Sequence, residues 1–152
     1  MIVREYQQGD EPACRALFEE LVEVHRALYP DGKIAADFRR EERMLVAEEA
    51  GRVLGYVGLR LHPKSVELEP VIVGQDNRGR GVGRALVERA VEEARTAGVQ
   101  RVYASPTGRN REAIAFFHSV GLDTVGYVHV QLDLEPRERR PAERIADREF
   151  RV

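Results

Sequence analysis

The chain has 152 residues, enough for one domain with a buried core; 43% apolar residues and a formal charge of −2 exclude a disordered chain and a nucleic-acid-binding polycation. Cys14 is the single cysteine, which excludes an intramolecular disulfide or a cysteine metal cluster, and no His/acid spacing suits a metal. No apolar run reaches the ~20 residues of a membrane helix, and Met1 to Tyr6 lacks the apolar core of a signal peptide, so a cytoplasmic protein with no membrane partner is expected.

In chain order, Ile2 to Tyr6 reads as a short strand. Asp10 is expected to cap a helix that tolerates Pro12 in its first turn and turns Leu17, Leu21, Val24 and Leu28 to the core. Tyr29-Pro30-Asp31-Gly32 ends that helix, and a second one is expected over Ile34 to Arg43. Two strands, Leu45 to Glu49 and Arg52 to Leu61, flank the hairpin signal Ala50-Gly51, and Ser65 to Val73 extends the meander. A helix runs from the following glycine-rich turn to a C-cap near Gly98. Val99 to Ser105 is a strand, Pro106-Thr107-Gly108 a turn, and Asn110 caps a helix that presents Ala113, Phe116, Phe117 and Val120 on one face and closes at Gly121. Thr124 to Leu134 is strand-like.

The turn Gln75-Asp76-Asn77-Arg78-Gly79-Arg80-Gly81-Val82-Gly83-Arg84 carries the most information. Glycines at a strand-to-helix junction let backbone approach a ligand, and the helix that follows offers unpaired N–H groups and a positive dipole end. Arg78, Arg80 and Arg84 add charge suited to phosphate oxygens. The pattern is not a P-loop, because no Lys follows the glycines, and it departs from the dinucleotide Gly-x-Gly-x-x-Gly. Arg78-Gly79-Arg80-Gly81-Val82-Gly83 resembles the Arg-x-x-Gly-x-Gly signature of the GNAT superfamily of acyl-CoA-dependent N-acyltransferases. A second anchor is Asn110-x-x-Ala113-x-x-Phe116-Phe117-x-x-x-Gly121-Leu122, and the element order β-α-α-β-β-β-α-β-α-β(β) agrees over residues 2 to 134.

The resemblance implies an α/β (α+β) fold whose central mixed sheet is splayed at the cofactor site. It also implies acetyl-CoA as acyl donor, no metal, and a primary amine on a small molecule or peptide as acceptor, acetylated directly in a ternary complex. Cofactor contacts would come from the backbone of Val71, Ile72 and Val73, from Arg78, Gly79, Arg80, Gly81, Val82, Gly83 and Arg84, and from Asn110 and Phe117. Pro70 lacks the N–H a sheet ladder needs, so its strand carries a bulge or forms an edge. In the family a bulge near this place opens the slot for the pantetheine arm.

Glu67 and Glu69 lie on one face of that strand by its period of two, and both are candidate general bases. Glu69 is favoured because it is nearer the expected bulge. Many relatives carry Tyr as general acid where this chain has Phe117, which removes about 2 kcal/mol of assistance to a thiolate of pKa near 8.5. That departure keeps a second reading open, a GNAT-fold acyl-CoA sensor without turnover. His25 and His118 read as surface residues, and neither His118 nor Tyr127 is assigned as the general acid. Residues 135 to 152 alternate in charge and form a separate extension, either a solvated tail or a short helix from Ala142 to Arg148 that supports a homodimer through Ile145 and Phe150.

Overall fold

The structure is a computed structural model that describes residues 1–30 and 37–127. The expected strand beyond residue 127 and the C-terminal extension lie outside those residues. Among the described residues five strands form one sheet in chain order: β1 (Ile2–Glu5), β2 (Arg43–Glu49), β3 (Arg52–His62), β4 (Ser65–Val73) and β5 (Arg101–Tyr103). The first four are antiparallel neighbours, and β5 pairs with β4 in parallel. The helices are α1 (Glu11–Leu28), α2 (Val82–Thr96) and α3 (Arg111–Ser119).

The two faces of the sheet bury different helices. Val82, Leu86, Ala90 and Ala94 recur every four residues along α2 and pack with Leu45, Ala47, Val57, Leu59, Val66 and Leu68; Phe116 and Val120 from α3 join them. The opposite face buries Cys14 and Leu17 of α1 against Met44, Val46, Tyr56 and Ile72. Met44 and Val46 face α1 while Leu45 and Ala47 face α2, the alternation that a strand buried on both sides imposes. On α1 the fully buried positions are Cys14, Leu17 and Val22; the expected Leu21, Val24 and Leu28 are half-buried.

Two expectations need correction. The helix over Ile34 to Arg43 is not formed in its described part: residues 37–42 are irregular and Arg43 opens β2. Tertiary contacts decide the matter, since Phe38 packs edge-on between Phe18 and Tyr56 and Glu41 pairs with Arg60. Asp10 does occupy the N-cap position of α1, but its carboxylate caps nothing there. It accepts instead from the Gln7 N–H and from Arg4.

The Ala50-Gly51 turn joins β2 to β3 with both residues at positive φ, 51° and 76°, which matches the twist of a tight hairpin.

Candidate active site

The chain in β4 advances one residue further than in its neighbour near Pro70. Val57 lies opposite Val71, and Leu59 opposite Leu68, so Glu69 and Pro70 together face Gly58. This is a β-bulge, and it reverses the parity of the strand. Val66 and Leu68 face α2 before it, Val71 and Val73 after it, while Ile72 turns to the α1 side. The bulge fits only because β3 has glycine beneath it: a Cβ on Gly58 would stand 2.3 Å from the Glu69 carbonyl oxygen.

On its other edge β4 meets β5 only from Ser65 to Glu67, paired with Arg101 to Tyr103. Beyond that point the parallel strands part, and Val71–Val73 have no strand partner on this side among the described residues. The expected splay is present, with the bulge at its start.

The far end of β4 runs through a short 3-10 turn into α2. Gly79 and Gly81 hold φ of 74° and 82°, and a Cβ on either would meet nothing within 4 Å. The first turn of α2 has no side-chain cap, so its leading N–H groups are without a side-chain partner among the described residues. The turn is therefore a cradle of backbone donors, shaped for an anion that can approach closely. Gly83 has a different use: a Cβ there would stand 3.0 Å from the Phe116 ring, which packs over α2 at this point.

The three arginines of the turn are half exposed and brace it from outside. Arg78 reaches the Val73 carbonyl (3.5 Å) and Glu112 (3.9 Å). Arg80 donates to Asn77 (2.9 Å) and Glu49 (2.6 Å), and Arg84 to the Ser119 carbonyl (3.0 Å). The Glu20 carboxylate accepts from the Gln75 N–H (2.9 Å), which ties α1 to the same turn. Asn110 Oδ1 accepts from the Ala113 N–H (3.0 Å), so Asn110 caps α3 as expected. Phe117 stacks obliquely against Phe116, ring centroids 5.2 Å apart.

Glu67 and Glu69 share the α1-side face as their spacing implies, but their surroundings differ. Glu67 accepts from the Ser105 hydroxyl (3.0 Å) on one oxygen and from Arg60 (3.3 Å) on the other. Glu69 has no hydrogen bond to its carboxylate among the described residues. Burial first, then the charges of Glu67 and Glu41, push its pKa above the ordinary carboxylate range, with Arg60 opposing. Tyr56 is 1% exposed, and its hydroxyl has no hydrogen-bond partner among the described residues. Burial and the nearby Cys14, Glu69 and Glu41 push that phenol upward.

Sequence reasoning missed Arg60, Ser105 and Tyr56. The register of the β3–β4 hairpin, which sets Arg60 opposite Glu67, was the one signal that could have found Arg60. Tyr127, at 93% exposed, and His25, whose pKa burial lowers, stand apart from this cluster. No group of metal-ligating side chains and no helix long and apolar enough to cross a membrane occurs among the described residues.

Comparison with known proteins agrees with this fold. The acetyltransferase (GNAT) family pattern matches residues 8–122. The chain is 30% identical over 139 residues to an L-amino acid N-acyltransferase of Escherichia coli, covering 80% of this chain and 78% of that protein. It is also 30% identical over 92 residues to an uncharacterized N-acetyltransferase of Methanocaldococcus jannaschii, covering 56% of this chain but only 41% of that longer protein. Among solved structures, a mutant of the BH1408 protein from Bacillus halodurans superposes with a TM-score of 0.76 at 22% identity, over 89% of this chain and 100% of that one. An aminoglycoside N-acetyltransferase in complex with CoA superposes with a TM-score of 0.62 at 16% identity, over 91% and 99% of the two chains. The family pattern, matched over residues 8–122, establishes that this chain belongs to the GNAT acetyltransferase family, a family of acyltransferase enzymes.

Proposed function

We propose that the protein transfers an acetyl group from acetyl-CoA to a primary amine, directly and within a ternary complex. The observation that carries the reading is the parting of β4 from β5. Among the described residues it leaves a strand edge without a strand partner between the glycine turn and Glu69, whose carboxylate accepts no hydrogen bond there. Phosphates of the donor would lie over Gly79, Gly81 and the first N–H groups of α2, with Arg78, Arg80 and Arg84 around them. Val71–Val73 would take the pantetheine amides on their open edge, and Asn110 and Phe117 would flank the arm from α3.

Acetyl-CoA supplies the acyl group as a thioester. Glu69 takes a proton from the acceptor ammonium, directly or through water, and so exposes the lone pair that attacks the thioester carbonyl. An N–H of the open edge stabilises the oxygen charge that develops. The attacking nitrogen gives up its second proton to solvent as the C–S bond breaks, and the thiolate gains its proton from solvent, because Phe117 cannot donate one. With an unperturbed thiol pKa near 8.5, departure as the thiolate instead of the thiol costs about 2 kcal/mol at neutral pH.

An acidic face around Glu41, Glu67 and Glu69 favours a cationic acceptor, small or peptidic. The reading treats residues 1–134 as the catalytic domain and 135–152 as an extension through which the protein forms a homodimer in the cytoplasm. Light scattering before and after truncation at Pro136 tests that assembly.

The activity is tested by following free-thiol release from acetyl-CoA with a panel of amino acids, aminoglycosides, polyamines and peptides. Turnover above background with one class supports the reading. Acetyl-CoA binding in calorimetry without turnover on any amine would instead support a sensor.

A further inference from the structure

Three carboxylates crowd the α1-side face near the bulge, and one arginine sorts them. Arg60 Nη2 donates to Glu41 Oε1 (3.0 Å), and Arg60 Nη1 to Glu67 Oε2 (3.3 Å), so a single guanidinium engages two acids at once. The Ser105 hydroxyl, just beyond β5, fixes the other oxygen of Glu67. Both paired acids are well shielded, with side chains 17% and 13% exposed. His62 Nε2 stands 3.9 Å from Glu67 and stacks on Tyr103, closing that side. Glu69, next on the same face, is left without a hydrogen-bond partner among the described residues.

We propose that Arg60 is a positioning residue: by holding Glu41 and Glu67 together in ion pairs it fixes both, and leaves Glu69 as the carboxylate that receives the acceptor's proton. The inference rests on the reading of Glu69 as the base and adds how that base is selected. A planar fork is needed for this task, since an ammonium cannot hold two carboxylates in one plane.

The groups facing Glu69 have known signs. Glu67 on its own strand and Glu41 before β2 raise its proton affinity, Arg60 on β3 lowers it, and the Tyr56 phenol on β3 lies neutral beneath, with the Cys14 thiol of α1 beyond. Removing Arg60 must therefore move Glu69 toward higher pH, and neutralising Glu67 must move it lower. A merely structural role for Arg60 would not give opposite displacements.

The experiment compares the full chain with Arg60→Gln, Arg60→Lys, Glu67→Gln and Glu69→Gln. It follows the Glu69 side-chain carboxyl by carbon NMR in the unliganded protein and the acid limb of kcat/KM during acetyl transfer. Arg60 is nearly half exposed, and Gln keeps much of its length, so folded variants are expected. The expected result is displacement upward in Arg60→Gln, downward in Glu67→Gln, and near wild type in Arg60→Lys with kcat lowered severalfold. KM for acetyl-CoA should be unchanged throughout. An acid limb abolished by Glu69→Gln yet unmoved by Arg60→Gln would overturn the role of Arg60 alone. A limb that survives Glu69→Gln would overturn the base assignment, and with it this inference, while an NMR titration unmoved in Arg60→Gln refutes the coupling whatever the activity.

Discussion

The Cβ that Gly58 lacks would lie 2.3 Å from the carbonyl oxygen of Glu69 and 2.7 Å from Glu41 Cγ. One missing methyl on β3 therefore admits both the bulge of β4 and the acid that pairs with Arg60. Gly58→Ala must push the bulge outward, since backbone cannot be compressed to that distance. Overpacking of this kind costs about 1–3 kcal/mol. Displacing a catalytic group by an ångström can cost about 10²-fold in rate. The expected variant is folded, with a lower urea midpoint and kcat/KM reduced on the order of 10²-fold. Activity within twofold of wild type would mean that the bulge does not set the geometry of catalysis.

Glu69 links stability to function in the opposite sense from most carboxylates. Burial and its acidic neighbours raise its folded pKa above the unfolded value. The folded state then holds the proton more tightly, so this group favours folding at low pH and loses that contribution as pH rises through its folded pKa. Above that folded pKa the ionised Glu69 is a liability kept for its chemistry. Glu69→Gln should therefore lower kcat by roughly 10²–10⁴, the range general-base catalysis supplies. It should leave acetyl-CoA affinity unchanged and raise the melting temperature at pH 7. A melting temperature that falls would show that the carboxylate is stabilised by contacts outside those described.

The sequence announced the site's backbone better than its side chains. Gly79 and Gly81 are legible because only glycine serves at positive φ where a ligand must come near, and Pro70 because a strand interior excludes proline unless it bulges. Both are local requirements, written in the residues that meet them. Arg60 and Glu41 are different. Their pairing depends on hairpin register and on a connecting segment that packs through Phe38 instead of turning as a helix. The switch of parity at Glu69-Pro70 likewise appears only once β3 is laid beside β4. Contacts that cross between elements leave no period in either one.

Ala50 is the described non-glycine residue that sits at positive φ, 51°, as the first residue of the tight turn before β3. An L-residue with a Cβ is disfavoured there by roughly 1 kcal/mol, whereas Asn accommodates the conformation and Asn-Gly is the preferred pair for this turn. Ala50→Asn should stabilise the protein by about 0.5–1 kcal/mol without altering activity, since the hairpin tip is remote from Glu69 in the sheet register. Chemical denaturation reads the gain. A loss would mean that the turn relaxes to another type when it is free to do so.

Asp10 offers the clearest acid-labile contact. It is 8% exposed, and Arg4 grips both of its oxygens, at 2.7 and 2.8 Å, while the Gln7 N–H donates at 2.7 Å. Arg4 also reaches Glu48 on β2 (2.7 Å), so the network fastens the start of α1 to two strands. The Arg4 hydrogen bonds, opposed by burial and helped by Gln7, hold the Asp10 carboxyl below its ordinary value. A depressed folded pKa contributes stability that is fully present above the unfolded value, near 3.9, and is lost as pH falls through the folded value. Wild-type stability should therefore drop below about pH 4. Asp10→Asn should forfeit about 2 kcal/mol at pH 7, the scale of a lost charge-assisted hydrogen bond, and its disadvantage should shrink toward acid. Urea midpoints at pH 7, 4 and 3 make the comparison. A deficit that stays constant across that range would assign the loss to packing of the amide and not to the charge of Asp10.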